Sequence, residues 1–189
     1  MRRFTGAVWF GLLLGLFILG VPLWRMRQSS LRESRFDALI LWAAAENGVD
    51  PALVKAVAWR ESKFDPAVRG RNGEIGLMQV MPTPANEWAA AHGGREMDPS
   101  RLFDPLTNLR VGSWHLTRAL QNWAHAADPV PLALAQYNAG RGNLLKWVDA
   151  ASMGDGEYFV CERIQFASTR SYVRDILRQC RTYRQRGEF

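Results

Sequence analysis

"VAWRESKFDPAV", residues 57–68, ends an apolar helical pattern with a charged pair. Upstream, Leu53, Val54, Val57 and Ala58 fall at i, i+1, i+4 and i+5, which is one face of a 3.6-residue helix. The next position on that face is 61, and it holds a glutamate. A carboxyl turned toward a core loses hydration, and the partial negative charge of a helix C-terminus acts in the same direction; both raise its pKa. A carboxyl that keeps its proton near neutral pH in a cleft is a general acid. The competing reading is an ordinary exposed glutamate at a fraying helix end, and periodicity alone favours it, because a last turn often rotates into solvent.

Working outward, Asp50-Pro51 supplies an N-cap followed by proline at the first helical position, which starts the helix carrying Glu61. The same device at Thr83-Pro84, Asp104-Pro105 and Asp128-Pro129 predicts helices beginning near 83, 104 and 128. "ESRFDALILWAAAENG" (33–48) is an amphipathic helix stopped by Gly48. "TRSYVRDILRQCRTYRQ" (169–185) is the last helix, with Tyr172, Ile176 and Tyr183 along one side. Between these, "DPAVRGRNGEIG" (65–76) reads as turns or a short irregular hairpin. The soluble part is therefore mainly α.

The 189-residue chain is 48% hydrophobic and carries a formal net charge of +6, enough for one domain with a substantial core plus an extra segment. The basic residues are dispersed, with no Lys/Arg block of the kind that binds nucleic acid. Residues 4–24, "FTGAVWFGLLLGLFILGVPLW", are 21 residues without a charge. As a helix they span roughly 32 Å, about the thickness of a bilayer core. The expectation is one membrane-anchoring segment within 1–27 and a domain over 28–189. A cleaved signal peptide is the alternative, and it wants a shorter apolar run and a small-x-small site, which is missing here. Cys161 and Cys180 are the only cysteines. Either they pair in an oxidising compartment or they remain two buried thiols.

Two further stretches carry polar groups where helices break. "GEIGLMQVMPTPA" (73–85) places Met78 and Gln79 after Gly76, and glutamine offers a donor and an acceptor suited to sugar hydroxyls and amides. "LALAQYNAGRGNLLKWV" (132–148) ends an apolar run at Tyr137-Asn138, just before Gly140. Each stretch taken singly is also readable as packing: a loop over buried Met and Leu, or a core tyrosine beside a helix-capping asparagine.

Taken together, "ESKFDP" (61–66), "GLMQVMP" (76–82) and "AQYNAG" (135–140), with "LFDPLTNLRVGSWHL" and "IQFASTRSYVRDIL" downstream, resemble the soluble lytic transglycosylase family over about residues 36–180. The resemblance implies a mainly α, lysozyme-like domain, preceded here by a single N-terminal transmembrane helix. It implies cleavage of the β-1,4 bond between N-acetylmuramic acid and N-acetylglucosamine in peptidoglycan, leaving 1,6-anhydromuramoyl ends. Glu61 matches the family's catalytic acid/base. Ser62, Met78, Gln79, Tyr137 and Asn138 match residues around the saccharide cleft. The partner implied is the peptidoglycan glycan strand, with residues 4–24 in the inner membrane and the domain in the periplasm; no cofactor, metal or nucleic acid is implied. The sequence departs from the family pattern at "RGRNG" (69–73) and at "QFASTR" (165–170), where Ser168 stands in place of a glutamate. A hydrolytic muramidase, with Glu74 or Asp65 as second carboxylate, and a non-catalytic peptidoglycan binder are the alternatives.

Overall fold

A computed structural model describes residues 32–189; the apolar run at 4–24 lies outside the described residues. Among those described, no helix is long and apolar enough to cross a membrane. Asp37–Phe189 form one compact unit.

The unit is built from α1 (Asp37–Asn47), α2 (Pro51–Ser62), α3 (Pro82–Ala91), a 3₁₀ turn (Pro99–Phe103), α4 (Pro105–Asn122), α5 (Pro129–Ala139) and α6 (Arg141–Trp147). Three short turns follow, α7 (Ala150–Gly154), α8 (Gly156–Tyr158) and a π-type turn (Phe159–Arg163), and then α9 (Ala167–Gln185). The aspartate caps work as their sequence suggests: Asp50, Asp104 and Asp128 accept from the backbone N–H of Ala52, Thr107 and Val130. The helix expected from Thr83-Pro84 instead starts at Pro82, behind Met81, which makes no side-chain cap. Pro82 already fixes φ for the first turn, so Thr83 lies inside the helix.

Helix α2 is the centre of the unit. Residues 52–58 are all buried, because α9 covers one side and α1 the other. Their number includes Lys55, whose ammonium bonds Asp37 (2.7 Å) and Glu188 (2.6 Å) and lies 4.8 Å from the Tyr183 ring centre. Both ends of the unit are thereby tied to the middle of α2. Tyr172, Val173, Ile176, Cys180 and Tyr183 form the buried stripe of α9. That stripe rests on α2 and α5, while α4 packs on α1 and α5. The cysteines do not pair: Cys161 and Cys180 are free, the first beside Arg174 (3.2 Å) and the second buried near Asp50 (4.0 Å).

No sheet forms among the described residues; the 69–80 segment makes isolated antiparallel bridges, Arg69 with Ile75 and Ile75 with Val80. The second closes a four-residue loop, 76–79, by reciprocal 3.0 Å hydrogen bonds between Ile75 and Val80. This loop, the end of α2, the end of α5 and the start of α9 converge on one site.

Candidate active site

Helix α2 stops abruptly. Lys63 and Phe64 both adopt positive φ (53° and 61°), and the Lys63 N–H returns to the Trp59 carbonyl. The last turn is closed, so Glu61 does not swing into solvent with a frayed end. It is half-buried, and Tyr172, reaching across from α9, donates its hydroxyl proton to Glu61 Oε1 at 2.7 Å. Burial raises the Glu61 pKa from 4.5 to about 7, against the opposing effects of the Tyr172 hydrogen bond and the Arg60 charge and with a small push from Glu74. Among the described residues, Oε2 accepts no hydrogen bond, nor is it sealed away from solvent. Oε2 is thus the oxygen that Tyr172 leaves unengaged.

Glu74 behaves oppositely. It is half-buried and wraps its own turn, accepting from the Asn72 backbone N–H (2.9 Å) and side-chain amide (3.0 Å), and local hydrogen bonds hold its pKa below the ordinary value. Asp65, the other carboxylate considered, is exposed and accepts from the Ala67 N–H in a tight turn. One carboxyl near this loop is thus a desolvated acid, and Glu74 is an ionised turn residue.

The loop carrying Met78 and Gln79 is held from beneath. Ser62 is buried, with its hydroxyl 2.9 Å from the Leu77 carbonyl and 3.1 Å from that of Ala58. Met78 is fully buried, and a Cβ added to Gly112 on α4 would come within 2.5 Å of its sulfur. The structure places the Ser62 and Met78 side chains beneath the loop rather than on its exposed surface. Ser62 ties the end of α2 to the loop through the Leu77 carbonyl, and Met78 packs against Gly112 of α4. Tyr137 donates its hydroxyl to the Met78 carbonyl at 2.9 Å, locking the loop to the end of α5. Burial and the Glu61 charge push the Tyr137 phenol well above 10, so it stays a neutral donor.

Gln79 and Asn138 present the remaining polar atoms. Gln79 sits at φ 47°, a left-handed conformation that disfavours a side chain. Its Nε2 donates to the carbonyls of Gly76 (2.9 Å) and Val68 (3.2 Å), which leaves Oε1 as its spare atom. Asn138 is exposed, and its Oδ1 accepts from Thr169 at 2.8 Å, which leaves its Nδ2 as a donor. Ser168, next to Thr169 at the start of α9, is exposed.

Two organising residues were not singled out from sequence. Asn108 on α4 is fully buried and makes three hydrogen bonds: Oδ1 from the Met78 N–H (2.8 Å), Nδ2 to the carbonyls of Ile75 (2.7 Å) and Leu102 (2.8 Å). Gly76, at φ 77°, lies so close to it that an added Cβ would fall 2.4 Å from Nδ2. The second is Tyr172, legible only as part of the apolar stripe of α9. An asparagine, a weak helix former, inside an 18-residue helix was the available signal for the first; nothing in the spacing of α9 announces the second.

The mainly helical domain, with a half-buried carboxyl beside a loop braced by tyrosine and asparagine, has a lysozyme-like fold. Residues 38–160 match the model of the transglycosylase SLT domain, and the chain belongs to that family. It is 34% identical over 138 residues to the soluble lytic murein transglycosylase of Escherichia coli, a match covering 72% of this chain and 21% of the relative. It is 27% identical over 172 residues to the membrane-bound lytic murein transglycosylase C of Shigella sonnei, covering 82% of this chain and 48% of the relative. An inactive glutamate-to-glutamine mutant of the lytic transglycosylase Slt from Pseudomonas aeruginosa superposes with a TM-score of 0.70 at 28% identity, over 79% of this chain and 24% of that one. The chain thus spans about a fifth of the soluble relative's length and about half of the membrane-bound one's.

Proposed function

We propose that this chain is a lytic transglycosylase that cleaves the β-1,4 bond between N-acetylmuramic acid and N-acetylglucosamine in peptidoglycan and leaves a 1,6-anhydromuramoyl end. The observation that carries the reading is the contrast between the carboxyls: Glu61 keeps its proton to about pH 7, while Glu74 is ionised and committed to its own turn. Hydrolysis by the usual route uses a second carboxylate to activate water or attack the sugar. A ring closure by the substrate's own hydroxyl does not.

In the proposed sequence, Glu61 Oε2–H gives its proton to the glycosidic oxygen as the C1–O bond breaks. The muramoyl 2-acetamido group takes up the positive charge at C1. Glu61, now a carboxylate still bonded to Tyr172, takes the proton of the C6 hydroxyl while O6 bonds to C1, and the acid form returns. One carboxyl serves both steps because the attacking hydroxyl is part of the same sugar. The Gln79 Oε1 acts as acceptor and the Asn138 Nδ2 as donor to substrate amide and hydroxyl groups. Tyr137, Ser62 and Met78 act through the loop they hold. Residues 1–27 carry a single-pass inner-membrane anchor, and the domain from 28 onward works in the periplasm. The uncharged run at 4–24 and the membrane-bound name of one relative support this placement.

Mass spectrometry of digested peptidoglycan tests the reading. Products with anhydro ends and no incorporation of solvent ¹⁸O are expected. Reducing ends carrying ¹⁸O would replace it with a hydrolytic muramidase.

A further inference from the structure

Helix α1 is apolar all round. Between Asp37 and Glu46 it reads "ALILWAAA", without a polar side chain. A helix of that composition is ordinarily enclosed on every side. This one is covered on one side only. Ile40, Ala43 and Ala44 are buried, and α1 packs on α4 and α2. Ala38, Leu41, Trp42 and Ala45, at i, i+3, i+4 and i+7, share a face and are all exposed. Leu41 keeps 47% and Trp42 48% of its surface in solvent. The Arg110 guanidinium, paired with Glu46, lies 4.9 Å from the Trp42 ring centre, so it borders the ring and still leaves it half exposed. None of these residues belongs to the cleft, which is assembled from α2, α5, α9 and the 76–79 loop.

The place of α1 in the chain argues for what covers this face. The uncharged run ends at Trp24, and residues 25–36 alone separate it from Asp37. Fully extended, at about 3.5 Å per residue, that linker reaches about 40 Å. With the run in a bilayer, α1 is the element tethered nearest the membrane, and a short tether makes a weak contact effective. The linker carries Arg25, Arg27, Arg32 and Arg35 against one acid, Glu33, a balance that draws it to anionic headgroups. An indole ring with one wet edge is at home at that depth, and leucine beside it supplies the apolar contact. A second copy is a poorer occupant. A stable dimer buries about 800 Å² per partner, well beyond what two half-exposed large side chains and two alanines present.

We propose that the outer face of α1, formed by Ala38, Leu41, Trp42 and Ala45, lies in the interface of the bilayer that holds residues 4–24. The domain is then docked on the membrane surface instead of swinging on its linker, and cutting is confined to glycan close to the membrane. The inference rests on the single-pass reading above and is independent of the catalytic one.

The test uses the full chain in vesicles of phosphatidylethanolamine and phosphatidylglycerol, in a Cys161→Ser, Cys180→Ser background with one nitroxide label at a time. Power-saturation electron paramagnetic resonance compares collisions with oxygen, which enters the bilayer, and with a nickel chelate, which stays in water. Labels at Leu41→Cys and Ala45→Cys are expected to read about 5–10 Å below the headgroups. A label at Arg178→Cys, exposed on α9 across α2, should read in water. Adding Trp42→Glu to the Ala45→Cys protein should return that label to water, with circular dichroism checking the fold of each variant; a label that stays at depth overturns the role of the stripe. Labels at 41 and 45 that read in water, in protein that floats with the vesicles, overturn the docking and leave the anchor standing. Labels shielded from both reagents mean that a protein surface covers α1, and overturn the docking too. Protein that does not float with the vesicles overturns anchor and docking together.

Discussion

Replacing Glu61 by glutamine separates catalysis from stability in opposite directions. Glutamine keeps the shape and still accepts the Tyr172 hydroxyl, but it neither gives a proton nor takes one back. Losing general acid–base catalysis lowers the rate by about 10²–10⁴-fold. The stability effect follows from the pKa. Below pH 4.5 the carboxyl is protonated in both the folded and the unfolded chain, and it brings no penalty. Between 4.5 and about 7 the unfolded chain ionises while the folded one holds its proton, so stability falls as pH rises. At about 1.36 kcal/mol per pH unit, the rise from 4.5 to about 7 amounts to about 3 kcal/mol, all of it present above pH 7. Glu61→Gln removes that penalty. At pH 8 the variant should melt roughly 6–12 °C above the parent, and at pH 4 the two should coincide. Thermal melts monitored by circular dichroism across pH 4–8, with peptidoglycan turnover on the same samples, read both effects. A folded variant retaining more than about a tenth of the parent rate would refute the catalytic assignment. Parent and variant melting together at pH 8 would refute the desolvation argument.

Tyr172→Phe removes the hydrogen bond that favours ionised Glu61, so the alkaline limb of the pH–rate profile should move to higher pH as the rate falls; an unmoved limb means the hydroxyl does not set the acid. Asn108→Ala leaves the Met78 N–H and the carbonyls of Ile75 and Leu102 without their partner, and urea unfolding should show a loss of about 3–5 kcal/mol. Gly112→Ala gains helix propensity but drives a Cβ to 2.5 Å from the Met78 sulfur, so the net expectation is destabilisation by about 1–2 kcal/mol, measured in the same way. Thiol titration of the denatured, unreduced protein should find both Cys161 and Cys180 reactive.

What the sequence determined was local. Three Asp-Pro steps started helices α2, α4 and α5 where they occur, because a cap and a fixed φ act within one turn of the chain. The stripe Leu53, Val54, Val57, Ala58 placed Glu61 on the buried face of α2, and the motifs at 61–66, 76–82 and 135–140 marked the segments that meet around it. Thr83-Pro84 misled only because Pro82 had already fixed the turn. What tertiary structure decided were the partners. Whether Glu61 is an acid depends on how much water α9 and the 76–79 loop exclude and on a tyrosine 111 residues away, and no local pattern encodes either. The same motifs could not tell a side chain that faces the cleft from one that braces it. Ser62 and Met78 lie beneath the loop and Asn108 is its hub, and only the packing of α2 and α4 against the loop fixes which of their atoms are used up.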